Sequence, residues 1–325
     1  MINFGLLGYG YWGPILASCF AEAGYPLKAI ADRNPDKLSK AKERFPSLTL
    51  YTELDSLLAD SSIDAVILAL PTALHYEYGK KALEAGKHIL VEKPLASSLA
   101  ESEALTRLAA EKGLILMVDH HFIYKDCLAV AKETLPTLGR LQYYDSVRVN
   151  HGIFRSDVDV VWDLAPHDLS ILKYLLEKDP LSVSATGFAY PQNRNNSSAA
   201  ITLFYQDGLT AHIRVSWLSP QKIRTVYIGG ERGVLLFDDN QKENKLTLCP
   251  VAYPEAKGKT LCQKGEWTTL APDRSNALAK VAKAFAESIE SGETPLSDGG
   301  FACDVVRVLE AIEASIAQKG ANVTL

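Results

Sequence analysis

Gly8-Tyr9-Gly10-Tyr11-Trp12-Gly13 is a G-x-G-x-x-G stretch. A predicted strand precedes it, and a predicted helix follows with Pro14 in its first turn. In that setting Gly8 permits a tight turn, Gly10 lets the backbone approach a pyrophosphate, and Gly13 lets the helix pack closely. The helix N-terminus would then face phosphates with its free N–H groups and positive dipole end. Tyr11 and Trp12 lie inside the same turn and are candidate contacts to the bound group. Asp32 ends the next predicted strand, about 20 residues on, where a carboxylate can accept hydrogen bonds from adenosine ribose hydroxyls. Its charge favours NAD. The adjacent Arg33 could pair with the extra phosphate of NADP, which is the alternative cofactor. An ordinary glycine-rich turn is the bland reading of the same residues.

Two further groups could do chemistry. Glu92-Lys93-Pro94 follows a predicted strand at its carboxyl end, the edge at which open α/β sheets bind ligands. A lysine there could polarise a substrate hydroxyl or carbonyl oxygen; a surface Glu-Lys pair in a turn is the alternative. In Trp162-Asp163-Leu164-Ala165-Pro166-His167-Asp168, Asp163 and His167 stand at i and i+4 and can share a helix face. A histidine with a carboxylate partner is a proton shuttle near neutral pH. The competing reading makes Asp163 an N-terminal cap and His167 a buried structural residue. Further ligands at suggestive spacing are lacking, so no metal is expected.

The elements that must position these residues follow from pattern. Residues 2–7, 28–31, 65–70, 88–91 and 114–118 read as strands, and helices are predicted after Gly13, after Asn34-Pro35, from about Leu74 to Gly86, and from Ser98 to Gly113. Ser98-Leu99-Ala100-Glu101 is a capping box, and Gly86 and Gly113 are left-handed helix stops. Alternation of this kind implies a doubly wound parallel sheet with right-handed crossovers. After about residue 122 the rhythm changes. A helix is expected over 126–134, a strand over 141–150 and a helix over 165–176. Strands over 181–188, 200–205, 209–217, 222–228 and 234–237 follow without helices between them, with Asp207-Gly208 and Gly229-Gly230 as turn signals. That succession predicts a large, mostly antiparallel sheet. Residues 191–198 read as a loop, and helices over 275–291 and 300–318 close the chain. The expected division is residues 1–121 for dinucleotide binding and 122–325 for substrate binding and oligomerisation.

The chain has 325 residues, 47% hydrophobic and 22% charged, an ordinary globular composition that at roughly 150 residues per domain suggests two domains. Thirty-four basic against thirty-nine acidic residues leave a net charge of −5, without global attraction for nucleic acid. Apolar runs fall short of the roughly 20 residues that span a bilayer, and the amino terminus lacks a signal-peptide pattern. No nucleic-acid or membrane partner is expected. The five cysteines, Cys19, Cys127, Cys249, Cys262 and Cys303, are scattered without a C-x-x-C, as fits reduced thiols in the cytoplasm.

Taken together, the glycine fingerprint, Ala69-Leu70-Pro71-Thr72 with His75, Ala85-Gly86-Lys87-His88 through Glu92-Lys93-Pro94, and Asp163-x-x-x-His167 resemble the Gfo/Idh/MocA oxidoreductases. The stretches 159–172 and 216–224 further resemble members linked to sugar and nucleotide-sugar biosynthesis. The resemblance implies a Rossmann domain followed by an α/β domain with a large antiparallel sheet, bound NAD or NADP, and a sugar, cyclitol or nucleotide sugar as substrate. It implies that Lys93, Asp163 and His167 are catalytic. It implies that Pro71, Thr72, His75, Glu92 and Lys93 line the nucleotide site, and that His120 reaches the substrate together with the catalytic residues. The segment 150–159, with Arg155, leads directly into the catalytic helix and is expected to line the substrate pocket. Asp119, Lys125 and Asp126 depart from the family's usual small residue and Asn-Pro. The outer face of such a sheet favours a homodimer or homotetramer. Some relatives with this fold are non-catalytic dinucleotide-binding regulators, which is the alternative class.

Overall fold

The computed structural model describes residues 2–152, 154–155, 157–190, 195–256, 259–271 and 276–325. The chain divides into two compact units, residues 1–121 with 276–306, and residues 122–275 with 307–325. The expected division assigned both closing helices to the second part; the segment 276–306 instead packs with the first.

The first unit is built on a six-stranded parallel sheet. Its strands are β1 (Phe4–Leu7), β2 (Ala29–Ala31), β3 (Thr49–Tyr51), β4 (Ala65–Leu68), β5 (His88–Val91) and β6 (Leu116–Val118). Their order is β3-β2-β1-β4-β5-β6, which reverses direction between β1 and β4, the switch point where such sheets bind ligands. β1 and β4 are wholly buried, so each reads as an unbroken apolar run. Helices α1 (Gly13–Glu22), α2 (Pro35–Arg44), α3 (Leu54–Ala59), α4 (His75–Glu84) and α5 (Leu99–Lys112) connect the strands. Asn34 caps α2 by accepting from the Asp36 N–H at 2.9 Å. Ser98 caps α5 at the Glu101 N–H, and Gly113 closes it at φ 63°. Two differences from expectation are short: β3 and α3 were not anticipated, and a 3-10 turn, Thr72–Leu74, precedes α4.

The second unit opens with α6 (Asp126–Thr134), followed by β7 (Leu141–His151) and α7 (Val160–Leu176). Then come β8 (Ser182–Ala189), β9 (Asn196–Phe204), β10 (Thr210–Ser216), β11 (Leu218–Gly230), β12 (Gly233–Asp238) and β13 (Leu246–Ala252). The sheet runs β13-β12-β11-β7-β10-β9-β8, extended at its ends by short strands, and every pair along this run is antiparallel except β7 with β10. Alternation along β10 buries Ala211, Ile213 and Val215 and exposes His212 and Arg214, so one face packs and the other meets solvent. Of the expected loop over 191–198, residues 191–194 lie outside the described residues, and Asn196–Ser198 is strand. The Gly229-Gly230 pair ends β11, and the turn itself falls on Glu231-Arg232. The chain closes with α8 (Ala277–Ser291), packed in the first unit against α1, and α9 (Gly299–Ala317).

α7 starts five residues before the expected position. Asp159 is its N-cap, accepting from the Val161 and Trp162 N–H groups at 2.9 and 3.1 Å. Asp163 therefore lies one turn inside the helix and is not the cap. The helix is tied to β7 from beneath, where buried Asp168 accepts from Ser146 Oγ at 2.6 Å and from Arg148 Nε at 2.6 Å.

Candidate active site

In the first unit the glycine turn has the geometry its spacing implies. Gly8 sits at φ +93°, a left-handed conformation that side chains resist, and a Cβ there would lie 2.5 Å from the Ala69 carbonyl oxygen. A Cβ on Gly13 would lie 2.5 Å from the Gly8 carbonyl oxygen, so α1 can approach the turn only with glycine. Gly10 is the opposite case: a Cβ there meets nothing within 4 Å. Its smallness serves no contact within the protein and leaves space beside the start of α1. That helix has Trp12 at its N-cap without a side-chain hydrogen bond, and no acid in its first turn. Its positive dipole end is thereby left uncompensated by any protein carboxylate in the first turn and suits an anion.

Asp32 braces this turn. Its Oδ2 accepts from the Tyr9 N–H at 2.7 Å and its Oδ1 from the Asn34 N–H at 2.8 Å. Lys37 Nζ lies 3.6 Å from the same carboxylate. Arg33 is exposed and donates to the Tyr78 hydroxyl at 3.0 Å. Tyr11 is largely exposed, and Trp12 is half-buried with its ring 6.3 Å from that of His121.

Around the carboxyl ends of β4, β5 and β6 the polar residues are mostly buried. Pro71 is exposed, Thr72 is buried, and the buried His75 ring reaches the carbonyl oxygens of Pro94 at 2.8 Å and Leu70 at 2.9 Å. His75 thus ties the turn after β4 to the turn after Lys93. Carbonyl oxygens only accept, so the ring serves both as donor only when it is a cation, and its burial opposes that by lowering its pKa. Lys93 is half-buried. His120 is 1% exposed, neither ring nitrogen has a hydrogen-bond partner among the described residues, and its ring packs 5.6 Å from that of Phe301. Burial, aided by the Lys93 charge, pushes its pKa down to about 3, so it is neutral.

In the second unit Asp163 and His167 are both half-buried on α7. Asp163 Oδ2 accepts from the Trp217 indole Nε1 at 3.0 Å, and Oδ1 accepts from Arg155 Nη1 at 3.2 Å. Arg155 also holds Asp157 at 2.6 Å. The His167 ring meets that of Phe122 edge-on at 5.1 Å. Pro166 lacks the N–H that would otherwise bond the Trp162 carbonyl, which removes one rung of the helix between the two polar side chains. Phe154 stacks on Tyr190 at 5.8 Å and meets Trp217 edge-on at 6.1 Å. Residues 153 and 156 of the expected pocket-lining segment lie outside the described residues.

The chain's similarity to known proteins accords with this geometry. A family model described as an oxidoreductase family with an NAD-binding Rossmann fold matches residues 2–120, and a GFO/IDH/MocA C-terminal domain model matches residues 151–236. A crystal structure described only as an oxidoreductase, from Magnetospirillum magnetotacticum MS-1, is 30% identical with a TM-score of 0.83, covering 95% of this chain and 99% of that one. The chain belongs to the Gfo/Idh/MocA family. Among its relatives, the scyllo-inositol 2-dehydrogenase (NADP(+)) of Bacillus subtilis is 31% identical over 50% of this chain, which spans 44% of that protein's length. The D-xylose 1-dehydrogenase (NADP(+)) 2 of Haloferax volcanii is 28% identical over 99% of both chains.

The family's dinucleotide fits the residues present. The open space at Gly10 and the uncapped start of α1 suit a pyrophosphate, and Asp32 retains lone pairs for a ribose. The structure adds residues that the sequence did not point to: Trp217 as a partner of Asp163, Phe122 against His167, and the Phe154–Tyr190 pair. Trp217 lay in one of the stretches carrying the resemblance, and Phe154 in the segment expected to line the pocket; Phe122 and Tyr190 had no local signal. Of the residues that depart from the family pattern, Lys125 pairs with Asp239 at 3.1 Å, and Asp119 is buried with its Oδ1 3.7 Å from His121 Nδ1.

Proposed function

We propose that this protein is a dehydrogenase or reductase acting on a hydroxyl-bearing carbon of a sugar-like substrate, with NAD as its cofactor and NADP as the alternative. The observation that carries the reading is the treatment of Asp163, whose two oxygens are held by Trp217 and Arg155 one turn inside α7, on the helix face that also bears His167. Fixing a carboxylate in this way costs side-chain freedom that a surface residue would keep. Bound nicotinamide supplies or accepts the hydride. His167 takes or gives the hydroxyl proton, and Asp163 favours its charged form. Lys93 stabilises charge developing on the reacting oxygen. The exposed, stacked Phe154 and Tyr190 rings suit the apolar C–H face of a sugar.

A second copy against the outer sheet face would cover Phe188, Phe204 and Tyr227, which are exposed on that same face. We read the protein as a homo-oligomer on that basis, and its cysteines, which form no disulfide among the described residues, as suited to the cytoplasm. The test is nicotinamide absorbance with NAD and NADP against panels of free sugars, cyclitols and nucleotide sugars. Turnover with one panel supports the reading and names the substrate class. Dinucleotide binding without turnover on any panel overturns it in favour of a regulator.

A further inference from the structure

Three residues of β7 converge on one residue of α7. Tyr144, Ser146 and Arg148 alternate along the strand, so they share one face, and all three are buried. A strand face packed under a helix is ordinarily apolar. Here all three reach Asp168, the residue after His167. Ser146 Oγ donates to Asp168 Oδ1 at 2.6 Å, Arg148 Nε donates to Oδ2 at 2.6 Å, and Arg148 Nη2 donates to Oδ1 at 3.2 Å. The Tyr144 hydroxyl lies 3.4 Å from the Asp168 carbonyl oxygen. Asp168 is 1% exposed and Arg148 2%. A buried ion pair gains little stability over apolar residues of like volume, because both charges give up their water. What this pair adds is a fixed place for the helix turn that carries His167.

Two routes lead from this network to the His167 ring. The first is the backbone. Pro166 removes one rung of α7 immediately before His167, and Asp168 ties that weakened turn to β7 through its side chain. Ser170 Oγ adds a bond to the His167 carbonyl oxygen at 2.9 Å. The second route is Phe122. The Arg148 guanidinium lies over the Phe122 ring, 4.5 Å from its centroid, and that ring meets the His167 ring edge-on at 5.1 Å. Lys125 Nζ lies 5.5 Å from the same centroid and is held by Asp239 at 3.1 Å. Asp239 is held in turn by Lys245 at 3.1 Å and Arg224 at 3.5 Å. Phe122 is thus placed by two cations, each fixed by a carboxylate of its own.

We propose that Ser146, Arg148 and Asp168 are positioning residues that fix the His167 imidazole for proton transfer, through the helix turn and through Phe122. This rests on the proposed function and deepens it: His167 carries the proton, and the network beneath α7 sets where its ring stands. None of the three needs to touch the substrate. Their effect is on the alignment of a proton carrier, for which a displacement of about 1 Å is worth on the order of a hundredfold in rate.

The test replaces the whole network at once, with Ser146→Ala, Arg148→Met and Asp168→Leu in one chain. No orphaned charge or hydroxyl is left, so the triple variant should fold with a Tm near the wild type. Its kcat should fall by about 10–100-fold, while KM and dinucleotide affinity stay within about threefold. Phe122→Leu, which leaves the ion pair intact, should lower kcat in the same way. Combined with the triple variant it should add little further, because the two act in series. A folded triple variant with wild-type kcat, or losses that multiply in the combination, overturns the assignment. A second measurement needs no substrate. With 13C-labelled histidine, the His167 imidazole signal among the seven histidines is identified by its loss in His167→Asn. The Phe122 ring current should displace that signal in the wild type, and the signal should move in both Phe122→Leu and the triple variant. An unmoved signal in a folded triple variant refutes the network. Wild-type turnover in His167→Asn instead refutes the reading of His167 as proton carrier, so the two failures are told apart. If the triple variant does not fold, Phe122→Leu carries the same two readouts, and wild-type kcat with an unmoved signal there overturns the proposal.

Discussion

α1 and α7 begin in opposite ways. α1 starts at a glycine turn with no side-chain cap and no acid in its first turn. α7 starts with Asp159 bonded to two of its own N–H groups, and Asp163 follows within the first turn. A helix end leaves four N–H groups to be satisfied. In α7 the Asp159 side chain satisfies two of them, and the adjacent face carries Asp163 and His167. In α1 no side chain caps the first turn, where Pro14 has no N–H and the Ile15 N–H bonds the Trp12 carbonyl at 3.0 Å, and the positive end of the helix stands beside the empty space at Gly10. One helix end is thus reserved for an anion brought from outside, and the other is spent on holding titratable side chains still. Binding and proton chemistry should therefore come apart under mutation.

The largest expected effects are on turnover alone. Lys93→Met and His167→Asn should each lower it by about two to four orders of magnitude, the span for removing an oxyanion or acid/base partner. Dinucleotide affinity, measured by nicotinamide fluorescence, should stay near the wild type. Near-wild-type turnover in both variants would break the comparison, because α7 would then be capped to no catalytic purpose.

Asp159→Ala should act on stability. Losing the cap costs about 0.5–2 kcal/mol, read as a lower urea midpoint. The loss should sit at the upper end, since Asp159 Oδ2 also accepts from Asn196 Nδ2 at 2.9 Å. An unchanged midpoint would mean that α7 does not depend on its own cap.

The smallest effect concerns selectivity between cofactors. Asp32→Asn removes a charge beside Lys37 and Arg33 while leaving one acceptor oxygen for the Tyr9 N–H. The NAD-to-NADP affinity ratio should move toward NADP by about 1 kcal/mol, on the order of fivefold. A wild type that already prefers NADP strongly would show that Arg33 and Lys37 outweigh the carboxylate.

What could be read from sequence follows the same division. The dinucleotide turn was legible because its chemistry lies in the backbone and its glycines are contiguous. The start of α7 was misplaced because Val160 and Val161 are β-branched and poor helix signals. Asp163, as the next acid, then resembled the cap. Trp217 and Asp163 lie far apart in sequence, and nothing local announces their bond. Glu92 and Asp119 fall at neighbouring strand ends only because Val91 pairs with Val118, a fact of sheet register that neither strand carries alone. The segment 276–306 belongs with the first unit through packing such as Phe285 against Phe4 at 5.9 Å, which a pattern of alternating elements does not reveal.

Titration of NAD into Gly10→Val tests the central claim most directly. A valine at this position meets no protein atom within 4 Å of its Cβ, so the fold and the Tm should be kept while dinucleotide binding is lost. A folded Gly10→Val protein that binds NAD with wild-type affinity would contradict the assignment of the first βα turn.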